Sequence, residues 1–165
     1  MAEFKPVLKS ETGIDDIKRG VFAFLEAPCM NTIVANDTYQ VLGCVLANSP
    51  LESFTFSTDP AIVYSDSEAK WFEIDWHAVA KVNATGKDIH VAMCHKPSGG
   101  VYSIIDSSIS GTYLKSSNEV QPFNGTTVIQ LTQGDSIQIR FKSDTLGDEV
   151  TFNHFVTSIN MFFIN

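Results

Sequence analysis

The 165-residue sequence has little charge and no segment suited to a membrane or to nucleic acid. Charged residues make up only 18% of the chain, and 19 acidic residues outnumber 11 basic ones, for a net charge of −8. An acidic chain without a Lys/Arg cluster repels phosphate backbones and anionic lipid surfaces. No apolar run approaches the roughly 18 residues of a spanning helix. The composition therefore argues against nucleic-acid binding and membrane insertion.

The sequence is also poor in cysteine and has no apolar leader. Its first stretch, MAEFKPVLKSETG, lacks a hydrophobic signal-peptide core, which predicts a protein made in the cytoplasm. Cys29, Cys44 and Cys94 are odd in number and form neither a CxxC pair nor a zinc spacing. We therefore expect three buried free thiols.

Catalytic and metal-binding motifs are missing as well. No nucleophile elbow, Walker loop, zinc-protease motif or EF-hand loop is present. Asp75 and His77 share one strand face and can pair, but no nucleophile is near them in sequence. His90 and His95 are five residues apart on one predicted strand, so they lie on opposite faces and cannot bind one metal. We predict no catalytic residue, no metal site and no cofactor.

One acidic loop leaves an alternative open. The stretch SDTLGDEV places Asp144, Asp148 and Glu149 together, and loop oxygens of this kind can bind calcium. Their spacing matches no known calcium loop, so a solvated acidic turn is the favoured interpretation.

Alternation of apolar and polar residues dominates the chain from residue 21. The clearest strand is WFEIDWHAVAKV, residues 71–82, where one face holds Phe72, Ile74, Trp76, Ala78, Ala80 and Val82. Eight to ten short strands with turns between them predict an antiparallel sandwich or barrel. Residues 1–20 are mixed in charge and lack this pattern. We predict an N-terminal arm over 1–20 and one domain over 21–165.

The stretch TVIQLTQGDSIQIRF, residues 127–141, has a hairpin-like pattern of two alternating runs around a turn. Ile129, Leu131, Ile137, Ile139 and Phe141 are its predicted core positions. Gly134 permits a positive φ, and the Asp135 side chain can accept hydrogen bonds from backbone N–H groups of the turn.

Three stretches together resemble the TNF/C1q-like jelly roll. They are NTIVANDTYQVLG, then AIVYSDSEAKWFEIDWHAVAKVNATGKDIHVAMCHK, then TTVIQLTQGDSIQIRFKS with a terminal VTFNHFVTSINMFFI. The version found in bacteriophage structural proteins is the most similar, on the matching residues Thr32, Ile33, Thr38, Tyr39 and Gly43. The resemblance covers residues 21–165 and implies an all-β, antiparallel jelly-roll β-sandwich. The sequence departs from the family where the closing Gly-Phe is replaced by His154-Phe155, which alters the packing expected near the closing strand.

The resemblance also implies a function. It indicates a non-enzymatic homotrimer, a surface knob made in the host cytoplasm and attached to a phage virion through its N-terminal arm. The knob would decorate a capsid or belong to a head or tail fibre, with a capsid or tail protein as partner. Candidate subunit-contact residues are Trp71, His77, Phe155 and Phe163, for which a plain core or surface position is the alternative.

Other functions remain open at this point. A host-surface glycan-binding module is the main alternative, with Tyr102 and Tyr113 as candidate contacts because tyrosine rings stack on sugars. A secreted C1q-type adhesion module would need an export route, a collagen-like stalk or disulfides, and a jelly-roll hydrolase would need a convergent polar site. None of these features is visible in the sequence.

Overall fold

The computed structural model describes residues 22–25, 27–44, 46–48, 53–57 and 60–162. The predicted arm, residues 1–20, lies outside the described residues, as does Phe163. The described chain forms two antiparallel β-sheets, as the alternation predicted. No helix in these described ranges is long and apolar enough to cross a membrane.

Sheet A holds the long strands of the molecule. Its strands are β1 (Phe22–Leu25), β2 (Cys29–Thr32), β4 (Leu46–Asn48), β7 (Lys70–Val82), β11 (Val120–Leu131) and β13 (Glu149–Phe162). Their order across the sheet is β11-β7-β13-β1-β4, and β2 also pairs with β13. The strand that is last in sequence is therefore central in the sheet.

Sheet B packs against sheet A. Its strands are β3 (Gln40–Val41), β5 (Phe54–Phe56), β6 (Ala61–Tyr64), β8 (Lys87–Lys96), β9 (Ser103–Ile104), β10 (Ser110–Leu114) and β12 (Ser136–Ser143). Their order is β10-β8-β12-β6-β5, with β3 on β12 and β9 on β8. A short 3-10 helix, Asp106–Ser108, joins β9 to β10.

The core lies between the two sheets and follows the predicted faces. All six residues of the predicted inward face of β7 are buried, from Phe72 to Val82. Phe54, Tyr64 and Phe72 form an aromatic cluster in which each ring centroid is 5.2 Å from the other two. The period of two in the sequence thus identified which side of β7 faces the core.

The hairpin-like stretch at residues 127–141 is not a hairpin. Its two strands form as predicted, but β11 pairs with β7 in sheet A and β12 pairs with β8 and β6 in sheet B. The turn between them is a corner that carries the chain from one sheet to the other. Local alternation cannot distinguish the two arrangements, because it reports which face is buried and not which strand is the partner.

Gly134 and Asp135 build this corner. Gly134 has a φ of +89°, and a Cβ added to it would lie 2.6 Å from the Ser98 Oγ. The Asp135 carboxylate accepts hydrogen bonds from the backbone N–H groups of Ser98 (2.9 Å) and Thr132 (3.0 Å), as predicted for this turn. Its Oδ2 also lies 3.2 Å from the His95 Nε2.

Electrostatics at the corner favour the ionised carboxylate. Burial raises the pKa of Asp135, but the hydrogen bonds from Thr132 and Ser98, together with that from His95, outweigh burial and hold this pKa below its ordinary value. The charged form of Asp135 is therefore part of what joins the two sheets.

The cysteine prediction was wrong for two of the three residues. Cys29 and Cys44 form a disulfide, with their Cα atoms 5.8 Å apart, because β2 and the segment after β3 run side by side. Cys94 is a buried free thiol, as expected. Burial raises the pKa of Cys94 to about 11, although the Arg140 guanidinium acts in the opposite direction. Cys94 is thus a neutral thiol at physiological pH, and a thiol of that kind is a poor nucleophile.

The acidic loop is less solvated than predicted. Asp148 is buried, 3.5 Å from the Lys87 Nζ, and accepts a hydrogen bond from the Ser143 hydroxyl. Within the part of the chain that the structure describes, no group of three or more His, Cys, Asp or Glu side chains is arranged to hold a metal ion.

Candidate functional site

The outer face of sheet A is the side that points away from the core, and it carries an unusual share of large apolar side chains. Strands β7, β11, β13 and the short β1 and β2 contribute to it through alternate residues. Its exposed members and their exposed fractions are Phe24 (38%), Met30 (61%), Trp71 (38%), Val120 (52%) and Val128 (45%). Concentration on one sheet face distinguishes this group from scattered surface residues.

A hollow of about 190 Å³ lies in the middle of this face, where β7 and β13 run together. It is lined by Asp75, Trp76, His77, Val156 and Ser158. At its edge the rings of His77 and His154 contact each other, with centroids 5.6 Å apart. The Asp75 carboxylate accepts a hydrogen bond of 2.6 Å from the Thr126 hydroxyl.

The hollow contains the residue types of a Ser-His-Asp triad but not its connections. Asp75 bonds to Thr126, and the His77 ring packs on His154. Among the described residues no hydrogen bond links Asp75 to His77 or His77 to Ser158. A triad requires the histidine to join the carboxylate to the nucleophile. The Asp75–His77 pair that the sequence allowed is therefore not hydrogen-bonded among the described residues.

The structure separates the four candidate contact residues. Trp71 and His77 lie on the outer face of sheet A. Phe155 does not, since it is 1% exposed and belongs to the protomer core. Its selection as a contact residue was wrong because a β-bulge between Phe152 and His154 shifts the alternation of β13 by one residue.

Sequence reasoning missed His154 as a member of this face. The same bulge that turns Phe155 inward places His154 outward against His77. The sequence carried a signal at this point, since His154-Phe155 replaces the closing Gly-Phe of the family. That departure coincides with the irregularity in the strand.

The outer face of sheet B is covered by the chain itself. Tyr102 lies across it and accepts a hydrogen bond from the Ser136 hydroxyl (3.1 Å). The Arg140 Cζ is 4.6 Å and the Lys96 Nζ 5.5 Å from the centroid of the Tyr102 ring. These are cation–π distances. Lys96 and Arg140 were not predicted from the sequence, although both occupy outward positions of alternating strands.

The two candidate glycan-contact tyrosines are far apart. Tyr102 lies beside Lys96 at one end of β8, whereas Tyr113 pairs across from Asp88 at the other end. Asp88 and Lys96 are eight positions apart along β8, which corresponds to a distance of roughly 26 Å. Tyr102 and Tyr113 therefore cannot contact the same sugar residue.

Comparison with known proteins confirms the predicted fold. No protein-family model and no curated protein matches the sequence. Among solved structures, Eiger TNF from S. frugiperda is similar with a TM-score of 0.65 and 8% identity, over 90% of this chain and 95% of that chain. Murine APRIL has a TM-score of 0.53 and 12% identity, over 84% of this chain and 98% of that chain. The globular domain of zebrafish complement 1qA has a TM-score of 0.52 and 10% identity, over 89% of this chain and 99% of that chain. The chain has the TNF/C1q-like jelly-roll fold.

Proposed function

We propose that the chain is a non-enzymatic, homotrimeric structural protein of a bacteriophage virion. In this proposal it forms a knob that decorates the capsid or belongs to a head or tail fibre, and residues 1–20 attach it to a capsid or tail protein. The observation that carries the proposal is the apolar outer face of sheet A, since a second copy of the chain would cover it.

The shape and chemistry of that face support the proposed trimer. Exposed apolar residues extend from Met30 to Val128 across the whole sheet, and the central hollow offers a place for a neighbour's side chains. A contact between unlike surfaces of identical chains closes into a ring when the rotation fits. The TNF/C1q-like fold favours a ring of three, which this face would line.

The composition and the disulfide support the virion role. A net charge of −8 keeps a surface-displayed knob soluble and away from nucleic acid. The Cys29–Cys44 disulfide suits a protein that works outside the reducing cytosol, as a released particle does. Synthesis in the host cytoplasm and later oxidation on the particle are compatible with both features.

The mass of the purified protein in solution tests the assembly. Light scattering or native mass spectrometry should show three 18.1 kDa chains. A monomer at micromolar concentration would contradict the use of sheet A as a subunit interface.

Deletion of residues 1–20 tests attachment. The truncated protein should remain trimeric and fail to sediment with particles, while a full-length variant with a scrambled arm provides the control for length and composition. Particle binding by the truncated protein would show that the arm is not the tether.

Recognition of a host-surface glycan is a second candidate function. The observation that favours it is the position of Tyr102 on the outer face of sheet B, flanked by two cations and half-exposed. In a trimer built on sheet A, sheet B faces outward and is open to a host surface. A knob can brace a particle and bind a glycan at once, so the two candidates are compatible.

A further inference from the structure

The cluster around Tyr102 has an excess of positive charge that no carboxylate of the described residues neutralises. Of the other described lysines, Lys70 bonds to Asp66, Lys87 to Asp148 and Lys142 to Asp37, whereas Lys81 and Lys115 have no such partner in the described ranges. Arg140 and Lys96 have none within 4 Å in the described ranges. Two unpaired cations beside one ring are notable in a chain where acidic residues predominate.

A buried donor lies beneath the same ring. Ser136, Gln138 and Arg140 are successive outward positions of β12, and Tyr102 contacts both the first and the last of them. Gln138, which is 2% exposed, is the outward residue between these two contacts. The Gln138 Oε1 accepts a hydrogen bond from the Arg140 Nε (3.0 Å), whereas its Nε2 has no partner among the described residues.

An amide N–H that is buried without an acceptor destabilises the fold, and a bound acceptor removes that penalty. Rotation of Tyr102 would uncover the Gln138 Nε2, the Ser136 hydroxyl and the free N–H groups of Arg140. These groups can all donate, and with Lys96 they surround an aromatic ring. The set complements a ligand that is anionic, rich in acceptors and partly flat.

We propose that Arg140, Lys96, Tyr102 and Gln138 form a binding site for an acidic saccharide, a sugar that carries a carboxylate. The Arg140 guanidinium would bind the carboxylate through paired N–H bonds, and Lys96 would add charge. Tyr102 would contact the sugar ring, and Gln138 would donate to a hydroxyl or ring oxygen. This inference rests on the glycan-binding candidate above and not on the virion role.

The surroundings limit the site to one carboxylate-sized group. Lys142, the next outward residue of β12, is already bonded to Asp37 and lies 5.3 Å from the Tyr39 ring centroid. Asp106 acts electrostatically on Tyr39, and neither Asp37 nor Asp106 lies within ion-pair distance of Arg140 or Lys96 in the described structure. A long polyanion such as an acidic peptide would find no continuous row of free cations here.

The test titrates the full-length protein with sialyllactose and with a glucuronic-acid disaccharide, observed by saturation-transfer NMR and calorimetry. Lactose and the methyl ester of sialyllactose are the neutral probes. Both acidic sugars should bind, and both neutral probes should bind at least tenfold more weakly. Arg140→Gln and Lys96→Gln should each weaken the acidic sugars about tenfold or more, the scale of one lost charge-assisted pair. Lys115→Gln, which removes an exposed lysine elsewhere, should have no effect.

The outcomes distinguish this inference from the proposals it builds on. Equal binding of lactose and sialyllactose, unchanged in Arg140→Gln, would overturn the acidic site and leave glycan recognition standing. Equal binding of acetate or polyglutamate would show a general anion site and also overturn it. If no sugar bound, both the acidic-saccharide site and the glycan-recognition function would be contradicted. The mass of each variant in solution reports separately on the trimer and on folding.

Discussion

The two sheets bury similar inner faces but differ in what covers their outer faces. Sheet B uses its own chain, since Tyr102 contacts Ser136 and Arg140, and Tyr39 lies beside Lys142. Sheet A leaves Trp71, Met30 and Val128 uncovered around a hollow. In a sandwich both sheets need one apolar face, but a second apolar face is useful only where another molecule packs. This difference is the reason for proposing sheet A for self-association and sheet B for other ligands.

The largest expected effect comes from a charge placed in the centre of the sheet A face. Val156→Lys should convert the trimer to monomers, because each subunit would bring a longer, charged side chain into the hollow at the centre of a buried interface. In the monomer the lysine stem can reach solvent, so folding should be retained. Val101→Lys, at an exposed position near Tyr102, is the matched control and should leave the mass unchanged. If Val156→Lys and Val101→Lys were both monomeric, or both trimeric, the two sheet faces would not differ in self-association.

A pair of glycine substitutions compares a position on the inner face of sheet A with one on the outer face of sheet B. A Cβ at Gly125 would lie 2.6 Å from the Trp76 Nε1 and 2.8 Å from the Ser108 backbone oxygen, which cannot move aside. Gly125→Ala should therefore lower the free energy of unfolding by about 1–3 kcal/mol. A Cβ at Gly111 meets only the His90 ring, at 2.6 Å, and this ring can rotate. Gly111→Ala should lower the free energy of unfolding, measured by urea denaturation, by clearly less. A larger loss for Gly111→Ala than for Gly125→Ala would contradict the packing described for β11.

Acid should weaken the corner that joins the sheets. The pKa of Asp135 is lowered in the fold, so its ionised form contributes stability above the unfolded pKa of about 3.9 and loses it as pH falls through the folded value. Asp135→Asn should cost about 1–3 kcal/mol at pH 7. The difference in free energy of unfolding between the unsubstituted protein and Asp135→Asn should narrow below about pH 4. Asp88→Asn removes the same charge at an exposed position and is the control. A gap that stayed constant from pH 7 to pH 2 would refute the role of the carboxylate.

The smallest expected effect concerns the cover of sheet B. Tyr102→Phe removes the hydroxyl that accepts from Ser136 and should cost about 0.5–1.5 kcal/mol. Tyr113→Phe removes a hydroxyl from a side chain that is 55% exposed and should be neutral within about 0.5 kcal/mol. Thermal unfolding of the two variants side by side measures the difference. Equal melting temperatures would mean that the Tyr102–Ser136 hydrogen bond does not stabilise the fold.

The sequence predicted individual strands better than it predicted their partners. Alternation identified the buried side of β7 and the corner residues Gly134 and Asp135, because both depend on local geometry. It could not show that β11 and β12 belong to different sheets. Nor could it show that residues 29 and 44 approach each other, since that disulfide depends on how β2 and the segment after β3 are placed.

The candidate site was only partly predictable for a related reason. Trp71 and His77 follow from the uninterrupted period of β7. Phe155 was misplaced because a single extra residue in β13 reverses every side chain beyond it. Lys96 and Arg140 are far apart in sequence and meet only because β8 and β12 pair. Such a cluster is a product of sheet pairing and has no local signature.

The central position of β13 also determines when the molecule can fold. This strand lies between β7 and β1, yet it is the last of the described strands to leave the ribosome. Until then the edges of β1 and β7 that pair with β13 lack their hydrogen-bond partner, and the middle of sheet A remains open. Pairings between strands so distant in sequence form slowly, and their unpaired edges are prone to aggregation. Each newly made chain therefore passes through an interval in which these unpaired edges are exposed to other chains.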